Sequence, residues 1–306
     1  MIRLGLCCLF VEEPIRFRTA TAAAMARFSR TAQRLRLSAL IRENAAALRL
    51  ALEYCAAHGI GCFRVNSRIM PLRTHPLLGY RVADLPEARR IREALRACGA
   101  FAREHDLRLS FHPDQFVLIS SPRPEVTEVS IAELEYQAEV AGWIGADVIN
   151  IHAGGAYGDK QAALARLGAS LKNLSPAVRK RLTLENDGRI YTPRDLLPFC
   201  KAHRIPMVYD VHHHRCLPDG LSVAEATRLA AATWNREPLF HLSSPKEGWK
   251  GRRPERHRDY IRPRDFPLEW LGMNLTVEVE AKAKELAVAR LARHLRVAEL
   301  SRFQRE

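Results

Sequence analysis

The sequence predicts an α/β fold, a single-domain (β/α)8 TIM barrel over residues 1–306 with a metal cluster at its C-terminal face. Three observations favour this architecture. Eight short β-rich runs alternate with stretches of helical periodicity, which indicates parallel strands. The 306 residues exceed the roughly 250 that such a barrel needs, so there is room for insertions. Six of the eight runs finish in, or are followed directly by, His, Asp or Glu.

The predicted strands lie at residues 2–10, 61–65, 107–111, 147–151, 182–184, 207–209, 239–242 and 275–279. Helix-start signals stand between them. Thr192 precedes Pro193, and Ser222 with Glu225 forms a capping box. Strand followed by helix, repeated eight times, predicts a barrel. An open doubly wound sheet is the alternative, since periodicity alone does not exclude it.

The charge balance predicts a polyanionic partner. The chain has 48 Lys and Arg against 34 Asp and Glu, a formal net charge of +14. Hydrophobic residues make up 47%, which excludes wholesale disorder. Two segments, near residues 12–36 and 246–264, are rich in basic residues without the Gly, Ser or Pro density of a linker. We interpret both as insertions on one domain.

The sequence predicts a cytoplasmic protein with no membrane association and no obligate protein partner. No apolar run approaches the roughly 18 residues of a membrane helix. The early run at residues 5–11 is short and leads into Glu12 and Glu13, so we interpret it as a buried first strand and not a signal peptide. The seven cysteines form no closely paired knuckle, which indicates reduced thiols without a zinc-thiolate site.

The residues that follow the strands are potential metal ligands. They are His112, His152, Glu185, Asp210, His241 and Glu280. Because the carboxyl ends of parallel barrel strands meet on one face, we expect these side chains to converge. Imidazole and carboxylate donors suit Zn, Mn or Fe. Six donors exceed the needs of one catalytic ion, which favours a bridging carboxylate between two ions, as in phosphoryl transfer.

Further candidates surround this set. His213 lies in a run of three histidines, of which we expect one to point at the site. His257, with Asp259, could hold a third ion. Glu278 and Glu280 share the same face of their strand, so spacing alone leaves both open as ligands.

The segment 246–264 has the composition of a nucleic-acid groove. Trp249 and Tyr260 are interleaved with basic residues, among them Lys250, Arg252 and Arg253. Basic side chains neutralise phosphates, and aromatic rings stack on extruded bases. A solvated loop is the alternative for this segment.

Seven motifs occur in order along most of the chain. They are His112-Pro-Asp-Gln-Phe, Asn150-Ile-His-Ala-Gly-Gly, Leu184-Glu-Asn-Asp, Asp210-Val-His-His, His241-Leu-Ser-Ser, His257-Arg-Asp-Tyr-Ile and Val279-Glu-Ala-Lys. Together they resemble the UV damage endonuclease family, relatives of the endonuclease IV fold. The resemblance implies a metal-dependent DNA repair endonuclease that cuts damaged duplex DNA on the 5′ side of a UV photolesion. It also implies two or three divalent ions. Manganese is the expected metal, and zinc, cobalt or magnesium are the alternatives.

The resemblance also implies residue roles. His112 and His152 would hold one ion with Glu185 as the bridge. The second ion would be held by Asp210, His241 and Glu280, and the third by His213 and His257. This makes Glu185, His112, His152 and Glu280 the expected catalytic residues, and selects Glu280 over Glu278. Gln115 and Phe116 match a pair that the family inserts at the lesion.

Three positions depart from the family pattern. Leu6 and Phe10 stand where better-known members carry a tyrosine and an asparagine that probe the lesion, and Leu239 stands where they carry a lysine. Cleavage is therefore a firmer expectation than recognition of pyrimidine dimers. The alternatives are an endonuclease for abasic sites or other lesions, a metal-dependent sugar isomerase-like enzyme, and a catalytically silent DNA-binding barrel.

Overall fold

A computed structural model describes the backbone of residues 1–303 and the side chains of residues 1–296. Eight parallel strands form one sheet in the order β6-β5-β4-β3-β2-β1-β8-β7. The strands are β1 Ile2–Cys7, β2 Cys62–Val65, β3 Arg108–Phe111, β4 Val148–His152, β5 Leu182–Glu185, β6 Met207–Val208, β7 Leu239–Leu242 and β8 Leu275–Val279. A bridge between Asp210 and His241 joins β6 to β7 and closes the circle. The predicted barrel is confirmed.

Helices cover the outside of the sheet. They are α1 Ala22–Met25, α2 Arg30–Ala57, α3 Ala88–Glu104, α4 Pro124–Ile144, α5 Lys160–Ser170, α6 Pro176–Arg179, α7 Pro193–His203, α8 Val211–Cys216, α9 Val223–Ala231 and α10 Lys284–Phe303. Both capping predictions are confirmed, because Thr192 and Ser222 each accept a hydrogen bond from the third residue of α7 and α9 in a complete capping box. Within residues 1–303, none of the helices has the length and apolar character needed to cross a bilayer.

Seven of the predicted strands agree with the structure to within one residue at each end, and two predicted segments differ more. The first strand is predicted to reach residue 10 but ends at Cys7, because Cys8 has a φ of 62°, which is incompatible with an extended chain. The basic segment predicted near 12–36 lies partly in the loop after β1 and partly on α2. Ser29 caps that helix at its start by accepting from the N–H of Ala32. The segment 246–264 lies between β7 and β8.

The main hydrophobic core lies between the sheet and the helices. Ile41, Leu48 and Leu52 of α2 are fully buried there, together with Phe63 and Val65 of β2. Because side chains alternate along a strand, the other face of each strand fills the barrel interior. Position 64 therefore points inward while its neighbours pack against helices.

The barrel interior is layered. Cys62, Val148, Val208 and Leu239 form a separate buried apolar cluster, against which Trp234 packs. Beyond this layer, at the amino ends of the strands, Arg108 forms an ion pair of 2.9 Å with Asp147. At the carboxyl ends the interior becomes polar, and the predicted ligands lie there.

Candidate active site

Glu185, the last residue of β5, is fully buried and lies at the centre of a cluster of histidines. Its Oε2 is 3.0 Å from His112 Nε2 and 3.8 Å from His152 Nε2. Its Oε1 is 3.0 Å from His241 Nδ1 and 3.4 Å from His213 Nδ1. Histidines at the carboxyl ends of three strands, β3, β4 and β7, and one from the helix α8 thus converge on one carboxylate. This is the arrangement expected of a ligand shared between ions.

Three overlapping groups of donors are close enough to hold a metal ion. They are His112, His152 and Glu185; His112, His241 and Glu280; and Glu185, Asp210 and His213, with ligand atoms within 4.8 Å of one another in each group. His112 and Glu185 each belong to two groups. The predicted convergence of the strand ends is therefore present, and the sharing accounts for the number of donors.

The short helix α8 selects one of three consecutive histidines. Asp210 caps it by accepting from the N–H of His213 at 2.8 Å, which brings His213 Nδ1 to 3.3 Å from Asp210 Oδ2. His214 points elsewhere, with Nδ1 2.7 Å from the Tyr209 hydroxyl and Nε2 2.9 Å from Asp219. His213 thus faces the site, as expected. His212, also buried, lies with its ring centre 5.4 Å from that of His257.

His257 is at the edge of the cluster. Its Nδ1 lies 3.8 Å from Glu280 Oε2, and its ring centre is 6.3 Å from that of His213. It completes none of the tight donor groups found among the described residues, so its role with a third ion stays a prediction. Glu280 belongs to such a group, whereas Glu278 is bonded by Arg64 and Ser110 instead.

The charges of the cluster are strongly coupled. Burial acts to raise the pKa of Glu185, but the surrounding imidazoles, His241 and His152 first, hold it well below its usual range. Burial likewise acts to lower the pKa of His213, yet the carboxylates of Asp210 and Glu185 outweigh it and raise the pKa to about 10. The site thus concentrates buried carboxylates that need positive charge beside them.

The donor atoms fit divalent cations. Several buried atoms of the cluster make no well-aligned hydrogen bond within the part of the chain that the structure describes: His112 Nδ1, His152 Nδ1, Glu185 Oε1, Asp210 Oδ2 and His241 Nδ1. Buried polar atoms without partners are costly, and native proteins rarely keep them without a role. Imidazole nitrogens and carboxylate oxygens suit manganese and zinc.

Sequence reasoning missed the residues that orient the ligands. Asn150 Nδ2 donates to Glu185 Oε2 at 2.6 Å. Asn186 exchanges two hydrogen bonds of 2.9 Å with the backbone of Asp210. Arg64 contacts two acidic residues and His241 from inside the barrel. Both asparagines lie within the motifs that carry the resemblance, and the inward parity of position 64 is the only signal for the arginine.

The predicted DNA-binding residues fall into two classes. Gln115 and Phe116 lie in the exposed turn after β3, and the Phe116 side chain is 72% exposed. Lys250, Arg252 and Arg253 are also exposed, in the loop after β7. These five side chains are accessible to a large ligand on the face where the strands end.

Trp249 and Tyr260 are held by protein contacts. The Trp249 indole N–H donates to Asp265 Oδ1 at 2.9 Å, and its ring centre is 5.1 Å from that of His212. Arg290 lies 5.0 Å from the Tyr260 ring centre. Such contacts favour a structural role, and stacking of either ring on a base stays a prediction.

The three departures from the family pattern are buried. Leu6 is 0% exposed and Phe10 is 6% exposed, with the Phe10 ring centre 5.2 Å from that of Tyr54. Leu239 belongs to the apolar layer inside the barrel. Leu6 and Phe10 are therefore part of the core and do not line the surface on which DNA would lie.

A family model described as UV-endonuclease UvdE matches residues 2–305. The chain belongs to the UV-endonuclease UvdE family. A UV DNA damage endonuclease from Bacillus velezensis is 34% identical over 302 residues, covering 94% of this chain and 91% of the relative. One from Bacillus cereus is 33% identical over 282 residues, covering 90% and 87%. Membership of this endonuclease family confirms the prediction of a phosphodiester hydrolase.

Solved structures agree with this assignment. The crystal structure of SacUVDE superposes with a TM-score of 0.88 at 26% identity, covering 98% of this chain and 99% of that one. Endonuclease IV from Thermus thermophilus has a TM-score of 0.60 at 17% identity, with 96% and 98% covered. D-psicose 3-epimerase from Clostridium cellulolyticum has a TM-score of 0.57 at 16% identity, with 83% and 92% covered. The last two show the barrel fold alone.

Proposed function

We propose that this UvdE-family enzyme nicks damaged duplex DNA on the 5′ side of UV photolesions. It would use two or three divalent ions, with manganese as the expected metal. The observation that carries the proposal is the position of Glu185, whose two oxygens face four imidazoles within 3.8 Å. One buried carboxylate shared between donor groups is the geometry that a cluster of ions requires.

Bound divalent ions would lower the pKa of a water molecule and stabilise the attacking and leaving oxygens of an in-line displacement at phosphorus. The residues of the chain provide the frame for this chemistry. His112, His152 and Glu185, which form one of the close donor groups, would hold one ion. Asp210, His241 and Glu280 would complete the shell of a second, although they come from two different donor groups, Asp210 from one and His241 with Glu280 from the other. His213 joins Glu185 and Asp210 on one side, and His257 lies nearby.

Orientation of the ligands comes from the surrounding amides. Asn150 fixes one oxygen of Glu185, and Thr183 in turn donates to Asn150 Oδ1 at 3.0 Å. Asn186 fixes the backbone at Asp210, which places the first turn of α8 and therefore His213. Such partners hold ligands within the narrow range of geometry that metal chemistry needs.

The surroundings of the site support a DNA substrate. The exposed cations of the loop after β7 and the exposed Phe116 flank the carboxyl ends of the strands. The net charge of +14 favours binding to a phosphate backbone over the neutral substrate of a sugar isomerase. An exposed ring beside the site can fill the space left by extruded bases.

Nicking of UV-irradiated supercoiled plasmid in the presence of manganese tests the proposal. We expect the wild-type protein to convert irradiated plasmid to the nicked form and to spare unirradiated plasmid. Glu185→Ala should abolish nicking because it removes the shared ligand, and should leave DNA binding in a gel-shift assay largely intact. Full activity of this variant, or of the wild type after exhaustive chelation, would overturn the metal mechanism.

A second candidate is an endonuclease for abasic sites or other lesions. The observation that favours it is the burial of Leu6 and Phe10, which removes two positions from contact with damage. Matched oligonucleotides that carry a pyrimidine dimer, an abasic site or no lesion separate the two candidates. Faster cleavage of the abasic duplex than of the dimer duplex would favour the second candidate.

A further inference from the structure

Arg64 lies inside the barrel, directly beneath the candidate ligands. It is the third residue of β2, where its backbone is paired with Cys7 of β1 and Ser110 of β3, and it is 7% exposed. A permanently charged guanidinium is rarely buried to this extent unless fixed anions surround it. The part it plays in the site follows from its three nitrogen contacts.

The guanidinium joins three acidic or basic side chains. Its Nε donates to Glu278 Oε2 at 2.5 Å, and its Nη1 donates to Glu280 Oε1 at 2.6 Å. Its Nη2 lies 2.9 Å from His241 Nε2. Glu280 and His241 belong to the same candidate metal group, whereas Glu278 does not. One cation therefore contacts two candidate ligands and one acidic residue outside the set.

Glu278 is the acidic residue beside Glu280 that belongs to none of the candidate metal groups among the described residues. Glu278 in β8 and Glu280, which follows the strand directly, have the same inward parity, so either could reach toward the site. Glu278 Oε1 accepts from the Ser110 hydroxyl, while Oε2 accepts from Arg64 and lies 3.0 Å from His241 Nε2. Both of its oxygens are thus used within the protein. Glu280 gives only Oε1 to Arg64, and its Oε2 faces His257 at 3.8 Å.

We infer that Arg64 is a positioning residue of the metal centre. It neutralises Glu278, whose Oε2 lies 3.0 Å from His241 Nε2, where it can accept the imidazole proton. It holds Glu280 by one oxygen, so that the other oxygen of Glu280 and the unprotonated Nδ1 of His241 are presented to the ion. The inference rests on the proposed function, because it assigns Arg64 to the same site. A lysine in this position would keep the charge but, as a compact ammonium, would not form the same fork to two carboxylates.

Manganese binding by equilibrium dialysis, with the electron paramagnetic resonance signal of bound Mn²⁺, tests this role in the full chain. R64K should weaken manganese affinity by about 10- to 100-fold, as loss of a partner that orients ligands typically does. It should also lower kcat for nicking at saturating manganese while KM for DNA changes little. A matched control is R108K, which disturbs a buried barrel ion pair at the opposite end and should leave manganese affinity unchanged.

A second comparison does not depend on how well R64K folds. E280Q removes a ligand, whereas E278Q changes a partner of Arg64, Ser110 and His241 and removes no ligand. E278Q should therefore keep the wild-type number of bound ions and bind manganese at least about tenfold more tightly than E280Q. Equal loss of the ion in both variants, or wild-type manganese affinity and kcat in R64K, would overturn the inference. If the wild type binds manganese but does not nick irradiated DNA, the proposed function fails while the dialysis still decides on Arg64.

Discussion

Asp210 and His241, two candidate metal ligands, form the parallel bridge that closes the barrel between β6 and β7. The seam is narrow, because β6 has only two residues and the backbone N–H of His241 donates to the Tyr209 carbonyl at 3.0 Å. Closure of the sheet and assembly of the site thus depend on the same residues. An ion held by both side chains would reinforce the seam.

Metal removal should lower thermal stability as well as activity. A ligand that binds only the folded state adds about 2.7 kcal/mol when its concentration is 100 times its Kd. We expect Mn²⁺ to raise Tm of the chelated wild type in differential scanning calorimetry. Glu185→Ala should show little of this increase, because it lacks the shared carboxylate. An equal rise in both proteins would place the stabilising ion elsewhere.

Phe116→Ala should reduce cleavage of damaged DNA without changing stability. Stacking of a base on an aromatic ring contributes about 1–3 kcal/mol, and the ring is 72% exposed, so little of the fold depends on it. Nicking kinetics on a single-lesion duplex and thermal unfolding measure the two effects. Leu268→Ala is the matched control, since that side chain is 74% exposed on the segment leading into β8. Equal cleavage by wild type and Phe116→Ala would exclude the ring from lesion binding.

The exposed cations of the loop after β7 should contribute to the salt dependence of DNA binding. Replacing Lys250, Arg252 and Arg253 by serine should flatten the plot of log affinity against log salt by about 0.9 for each phosphate that the loop no longer neutralises. The control replaces Lys180, Lys201 and Arg204, which are exposed near the amino ends of β5 and β6. An unchanged slope in the loop variant would contradict the proposed groove.

Asp147 should make stability depend on pH below neutrality. Burial acts to raise the pKa of Asp147, but Arg108 and Arg236 outweigh it and hold the pKa below its usual range. Since the folded state favours the charged form, the stabilisation is complete above the unfolded pKa of about 4 and is lost as pH falls through the folded pKa. Urea unfolding of wild type and Asp147→Asn should differ most at neutral pH and converge in acid. A constant difference down to pH 2 would contradict this.

The fold could be predicted because each strand carried its own signal. The eight β-rich runs locate the barrel. The His, Asp and Glu residues at the carboxyl ends of these runs locate its active face, since parallel strands end on the same side. The exact ends of the strands were harder to predict from the sequence. His152 and Glu185 are the last residues of β4 and β5, and the first strand is shortened by the left-handed Cys8, which composition does not reveal.

The interior of the site was only partly predictable. The spacing of His112, Asp210 and His241 predicts their convergence, but not which histidine of the run after Asp210 faces them. That choice depends on the first turn of α8. The pairing of Arg64 with Glu278 joins residues 214 positions apart in the chain, and no local pattern encodes such a contact.

The apolar layer of Cys62, Val148, Val208 and Leu239 lies between two charged regions of the barrel interior. Charges at the amino ends, such as Arg108 and Asp147, are separated by this layer from the ligand cluster at the carboxyl ends. Arg108 and Asp147 contact none of the candidate ligands, so we expect substitutions there to change stability more than the affinity for metal. Substitutions meant to raise the thermal stability of the enzyme would therefore be made first at the amino ends of the strands.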